Sequence, residues 1–126
     1  PLWSRGLGDV YKRQIMALLN LIENAVKYSP ENTRVAVTSA ISDGIVEIAV
    51  TDQGIGIPES DLNRIFERFY RVDPARSRET GGTGLGLSIV KHVAQNHGGD
   101  VKVWSKVGVG STFTIMLPKS DERISQ

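Results

Sequence analysis

The sequence has no cysteine, so neither a disulfide framework nor a thiolate metal site can form. That agrees with a reducing compartment. No apolar run approaches the ~18 residues of a transmembrane helix, and no signal-peptide pattern is present. Formal charge is only +1, which argues against a general nucleic-acid binder. Internal repeats and low-complexity segments are absent. Histidine occurs only as His92 and His97, too few for a histidine-rich metal site. What is there is 126 residues, 40% of them hydrophobic, enough for one globular domain with a real core.

Residues 1–14 lack a sustained apolar period and read as a non-native leader, an adaptor-like stretch set apart from the domain at 15–118 and the polar tail at 119–126. Ile15, Leu18, Leu19, Ile22, Ala25 and Val26 then recur at helical spacing and predict an amphipathic helix that Pro30 ends. Asn20, Asn24 and Lys27 fall together on its opposite side. Strands are expected at 34–41 and 45–52, turned by 42–44. Val35, Val37 and Ile41 share one face of the first. Val46, Ile48, Val50 and Asp52 share one face of the second, so a carboxylate ends an apolar row. Burying it without a partner would be costly.

A short helix is expected after Pro58, with Leu62, Ile65, Phe66 and Phe69 on its apolar side. A polar, arginine-rich loop follows, then a helix carrying Leu85, Ile89, Val90, Val93 and Ala94, stopped at Gly98. Strands at 100–105 and 111–118 finish the chain. This order implies a two-layer α/β sandwich, a mixed sheet covered on one face by helices.

The glycine-rich stretch before the last helix fails two familiar tests. Gly81 and Gly86 have Walker A spacing, but Leu87 stands where the phosphate-binding lysine belongs. Gly82 and Gly84 begin a dinucleotide fingerprint, but Leu87 again takes its third glycine position. The underlying physics still holds: glycines allow close backbone approach, and a helix N-terminus offers free N–H groups to phosphate. Asp52, followed by Gly54 and Gly56, can accept a hydrogen bond from the amine of adenine, whereas guanine carries an acceptor oxygen there. Asn20, Asn24 and Lys27 offer oxygens and a cation, which suits Mg²⁺ bridging phosphates. Singly, Asn24 also reads as a surface amide, Lys27 as a solvated charge and Asp52 as a strand-end cap.

Four blocks in order, "NLIENAVKYSP", "DQGIGIP", "IFERFYR" and "GGTGLGLSIV", resemble the N, G1, F and G2 boxes of one family. Together they resemble the catalytic ATP-binding domain of bacterial sensor histidine kinases, within the superfamily shared with gyrase, heat-shock chaperones and mismatch-repair proteins. "VKHVAQNHGGDVKVWSK" looks most like the actinobacterial, phosphate-responsive members. The resemblance implies a Bergerat fold with a mostly antiparallel sheet and about three helices. It implies that Asn24 ligates Mg²⁺ with help from Asn20, and that Lys27 and Tyr28 meet the phosphates. Asp52 would read adenine in a pocket shaped by Gly54, Gly56 and Ile57. Arg71 would approach the γ-phosphate from an ATP lid at about 71–83. Gly82, Thr83, Gly84, Leu85 and Gly86, with Thr112 in the closing strand, complete the expected nucleotide contacts. Phe66 and Phe69 are expected to pack in the core.

The family's phosphoacceptor histidine lies on a separate helical dimerisation domain, and neither His92 nor His97 suits that role. The expected function is therefore transfer of the γ-phosphoryl group of ATP to a histidine on that domain, and onward, indirectly, to a response regulator. The fragment would be cytoplasmic and touch neither nucleic acid nor membrane, its parent being membrane-anchored. A hydrolysing ATPase is the alternative, but those relatives carry a glutamate base where this chain has Asn20, and an amide cannot take the proton. A non-catalytic nucleotide-binding module is a third reading.

Overall fold

The computed structural model describes residues 2–68, 70 and 86–119. Its elements are α1 (Leu2–Tyr28), β1 (Ala36–Ser42), β2 (Ile45–Asp52), α2 (Glu59–Leu62), α3 (Gly86–Asn96), β3 (Asp100–Lys106) and β4 (Gly110–Pro118). The strands form one sheet in the order β1-β2-β4-β3. Asp43 (φ 52°) and Gly44 (φ 76°) make the two-residue β1–β2 turn, the left-handed pair that matches strand twist. β2 and β3 run in the same direction, but β4 lies between them, so every described pairing is antiparallel. The sheet among the described residues is thus antiparallel rather than mixed.

α1 runs back to Leu2 with no backbone break at residue 15. Its described side chains nevertheless join the core only from Ala17 onward. The buried line is Ala17, Leu21 and Ala25, with Leu21 only 1% exposed. The expected stripe is offset from it: Ile15 and Leu19 are exposed and Val26 is 60% exposed. The reason is packing. α1 lies against α3 and β2, and small alanines on either side of Leu21 let the helices approach closely. Asn20, Asn24 and Lys27 occupy one flank of this line, and the apolar Ile15, Leu19 and Val26 the other.

Val90 and Ala94 of α3, Val50, Val101, Phe113, Ile115 and Ile65 complete the core. On β1 every residue is exposed; Val37 and Ile41 share the face of Val50 and Val46 by register, but among the described residues no helix covers them and Ile41 is 66% exposed. The helix expected after Pro58 is one turn long, and residues 63–68 continue as turns. Those turns still deliver Ile65 to the core and set the Phe66 ring edge-on to Phe113, centroids 6.3 Å apart. Lys91 of α3 lies over the same Phe66 ring at 5.0 Å. Phe69, the lid at 71–83 and the tail beyond 119 lie outside the described residues.

Candidate functional site

The inner sheet face ends in a polar row. Register places Asp52 opposite Ser111, and Ser111 opposite Ser105, so all three share the helix-covered side. Asp52 is 9% exposed. Its Oδ1 accepts two backbone N–H groups, from Gly54 at 2.9 Å and from Ser111 at 3.2 Å. Two such donors compensate the burial of a carboxylate. Among the described residues both bonds fall on Oδ1, which leaves Oδ2 to offer a ligand.

The loop after Asp52 is held between two elements. A Cβ on Gly54 would come within 2.5 Å of the Tyr28 carbonyl at the end of α1. A Cβ on Gly56 would collide with the Lys106 carbonyl, and Gly56 sits at φ +78°, a conformation that favours glycine. From the hairpin side, Gly108 N–H donates to the Ile55 carbonyl at 2.9 Å, and Ile57 N–H donates to Ser105 Oγ at 2.7 Å. Gly54, Gly56 and Ile57 are thus drawn together with Asp52, and Tyr28 backs the loop.

On the other side, Asn20 Oδ1 lies 3.8 Å from the point a Cβ on Gly86 would occupy. Asn20 on α1 therefore lies close to the first described residue of α3. Asn24 is half-buried on this flank, and Lys27, one turn further, is exposed. Among the described residues no group of three His, Cys, Asp or Glu could hold a metal ion. The neutral side-chain oxygens of Asn20 and Asn24, with a ligand's own anionic oxygens, are a donor type that suits Mg²⁺. Arg71, Gly82, Thr83, Gly84 and Leu85 lie outside the described residues.

Thr112 does not join this set. Its Oγ1 pairs with Thr51 Oγ1 at 3.0 Å, on the sheet face opposite Asp52. Ser111, one residue earlier, holds the inner position instead. The histidines make local contacts: His92 Nε2 with the Asn96 amide at 3.0 Å, and His97 Nδ1 donating to the Val93 carbonyl at 2.7 Å.

After the turns that follow α2, Tyr70 donates its hydroxyl to Asp61 and Arg64 lies over the Tyr70 ring at 4.5 Å. The bond to Asp61 holds the phenol above its ordinary value of 10.0. The Glu67 carboxylate, 3.2 Å from Arg64, raises the guanidinium in turn.

The family described as histidine kinase-, DNA gyrase B- and HSP90-like ATPase matches residues 10–121. The chain belongs to this ATPase family. It is 55% identical over 133 aligned residues to the sensor-like histidine kinase SenX3 of Mycolicibacterium smegmatis, covering 100% of this chain and 34% of SenX3. It is similar to the mycobacterial sensor histidine kinase MprB, with 41% identity and a TM-score of 0.70 over 82% of this chain and 68% of that one. Full-length ShkA in complex with AMPPNP matches with 36% identity and a TM-score of 0.72 over 84% of this chain and 21% of ShkA. The chain thus spans about a third of the length of the curated relative SenX3. Both solved structures support the two-layer ATPase fold, and the mycobacterial relatives agree with the actinobacterial resemblance. Among the described residues no helix is long and apolar enough to cross a membrane.

Proposed function

We propose that this chain is the ATP-binding catalytic domain of a sensor histidine kinase and supplies the γ-phosphoryl group to a histidine on a partner domain. The observation that carries the reading is Asp52: a buried carboxylate, fixed through Oδ1 by two main-chain donors, beside a loop clamped at both ends. Such an acceptor suits the exocyclic amine of adenine. The amide flank of α1 facing the start of α3 supports phosphate binding at the other end of the site. ShkA, a relative with the same fold, is described with an ATP analogue.

In this reading Asp52 orients the base, and Gly54, Gly56 and Ile57 form the wall beside it. Asn24 and Asn20 would hold Mg²⁺, which when bound neutralises charge on the transferred phosphoryl group. Lys27, Tyr28 and Arg71 would add positive charge and contacts along the phosphates. Gly82, Thr83, Gly84, Leu85 and Gly86 would bring backbone to the phosphates. Phosphoryl transfer demands positioning and charge neutralisation more than covalent help. A histidine-bearing dimerisation domain would supply the acceptor, a response regulator would follow it, and the domain would act in the cytoplasm. The hydrolysing alternative is not favoured, because Asn20 is an amide and cannot serve as general base.

The test is transfer of labelled γ-phosphate from ATP to a supplied histidine-bearing helical domain, with and without Mg²⁺. Label on that domain only when Mg²⁺ is present is the expected result. Saturable ATP binding without any transfer would leave a nucleotide-binding module and remove the kinase assignment.

A further inference from the structure

We infer that Ser105 is a positioning residue for the nucleotide site, an inference that rests on the reading of Asp52 and the 54–57 loop as the base-binding end. Ser105 belongs to neither the glycine loop nor the strand that carries Asp52, and none of the family-like boxes contains it. Its hydroxyl is nevertheless the point where three parts of the site meet. Ile57 N–H donates to Ser105 Oγ at 2.7 Å, Ser105 Oγ donates to the Gly110 carbonyl at 3.0 Å, and Ser111 Oγ lies 2.7 Å from Ser105 Oγ.

Proton accounting fixes the direction of these bonds. A serine hydroxyl has one proton and two lone pairs. The Gly110 carbonyl can only accept, so the Ser105 proton goes there. Its two lone pairs then receive the Ile57 N–H and the Ser111 hydroxyl proton. Every capacity of Ser105 is used. Ser111, having donated sideways, keeps only lone pairs to present beside Asp52, whose Oδ1 it also supplies through its backbone N–H. One hydroxyl thus ties the loop to the hairpin and directs the proton of its neighbour away from the carboxylate.

Removing that hydroxyl has two consequences. Ile57 N–H loses its acceptor, so among the described hydrogen bonds the loop keeps only Gly108–Ile55 to the hairpin. The Ser111 proton loses its partner and can turn toward Asp52, competing with an amine for the carboxylate. Both effects fall on the base-binding end and neither on the phosphates. Ser105→Ala is therefore expected to weaken ADP and ATP by the same factor, about tenfold. Ser105→Thr, which keeps the hydroxyl on a strand that welcomes β-branched residues, is expected to restore binding.

The experiment is calorimetric titration of the chain and both variants with ADP and with ATP, together with hydrogen exchange at the Ile57 amide. Equal loss for both nucleotides in Ser105→Ala, rescue by threonine and protection of Ile57 in the unsubstituted chain support the inference. General destabilisation would also weaken both nucleotides equally, by shrinking the binding-competent fraction, so the loss supports the inference only where the denaturation curve of Ser105→Ala shows it fully folded at the titration temperature. Unchanged affinity in Ser105→Ala, or loss for ATP alone, overturns it. So does fast exchange at Ile57 in the unsubstituted chain, a measurement that stands even where the alanine variant does not fold. If the unsubstituted chain binds neither nucleotide, the base-site reading itself fails and this inference falls with it.

Discussion

Ser111 and Asp52 face each other across β2 and β4, and the Ser111 N–H donates to Asp52 Oδ1 at 3.2 Å. The carboxylate is therefore held by main chain, and the role of its second oxygen can be separated from the integrity of the fold. Asp52→Asn keeps an oxygen to accept from Gly54 and Ser111 but places an NH₂ group where Oδ2 stood. The fold is expected to survive, while adenine nucleotides bind at least about tenfold more weakly because a donor meets a donor. Calorimetry with ADP checks this; unchanged affinity removes Asp52 from base recognition.

Gly56 permits a contact that no other residue does. Gly56→Ala drives a methyl group into the Lys106 carbonyl at a positive φ. The expected loss is about 1–3 kcal/mol of stability, read from chemical denaturation, and nucleotide affinity falls with it. A variant as stable as the original would show that the hairpin does not press on the loop.

The two stripes of α1 make opposite forecasts. Leu21→Ala empties a fully buried position between α1, α3 and the sheet and is expected to cost about 2–5 kcal/mol. Val26→Ala removes an exposed side chain and is expected to stay within about 0.5 kcal/mol. Denaturation midpoints of the pair decide which line is the core.

Tyr70 gives a pH dependence at the alkaline end. Its hydrogen bond to Asp61 favours the neutral phenol, so its pKa is raised in the folded chain. The stabilisation is fully present below the ordinary value of 10.0 and is lost as pH rises through the folded pKa. Difference absorbance titration of the chain against Tyr70→Phe should show a tyrosinate transition delayed beyond that value. A transition at or below it would mean the Asp61 bond is not kept in solution.

These contrasts show which parts of the molecule were legible in the sequence. The strands were, because alternation at Val46, Ile48 and Val50 admits one facing. The core line of α1 was not: the helix is apolar on more than one side, and only packing against α3 selects Ala17, Leu21 and Ala25. The length of the helix after Pro58 is not legible, because Leu62, Ile65 and Phe66 have helical spacing while turns after Leu62 bury Ile65 and half-bury Phe66. The facing of Thr112 is not legible, because it alternates residue by residue and only the pairing with β2 tells it from the adjacent Ser111. Ser105 left no local signal. Its partners, Ile57 and Ser111, come from elsewhere in the chain.

The meeting of Gly56 with the Lys106 carbonyl also bears on inhibitor selectivity. The 54–57 loop proposed as the base-side wall abuts the hairpin there through peptide groups rather than side chains. A compound shaped to it would meet much the same surface in any relative with glycine at this place, and would distinguish poorly among them. Discrimination would have to come from its reach toward side chains such as Lys27 or Tyr28.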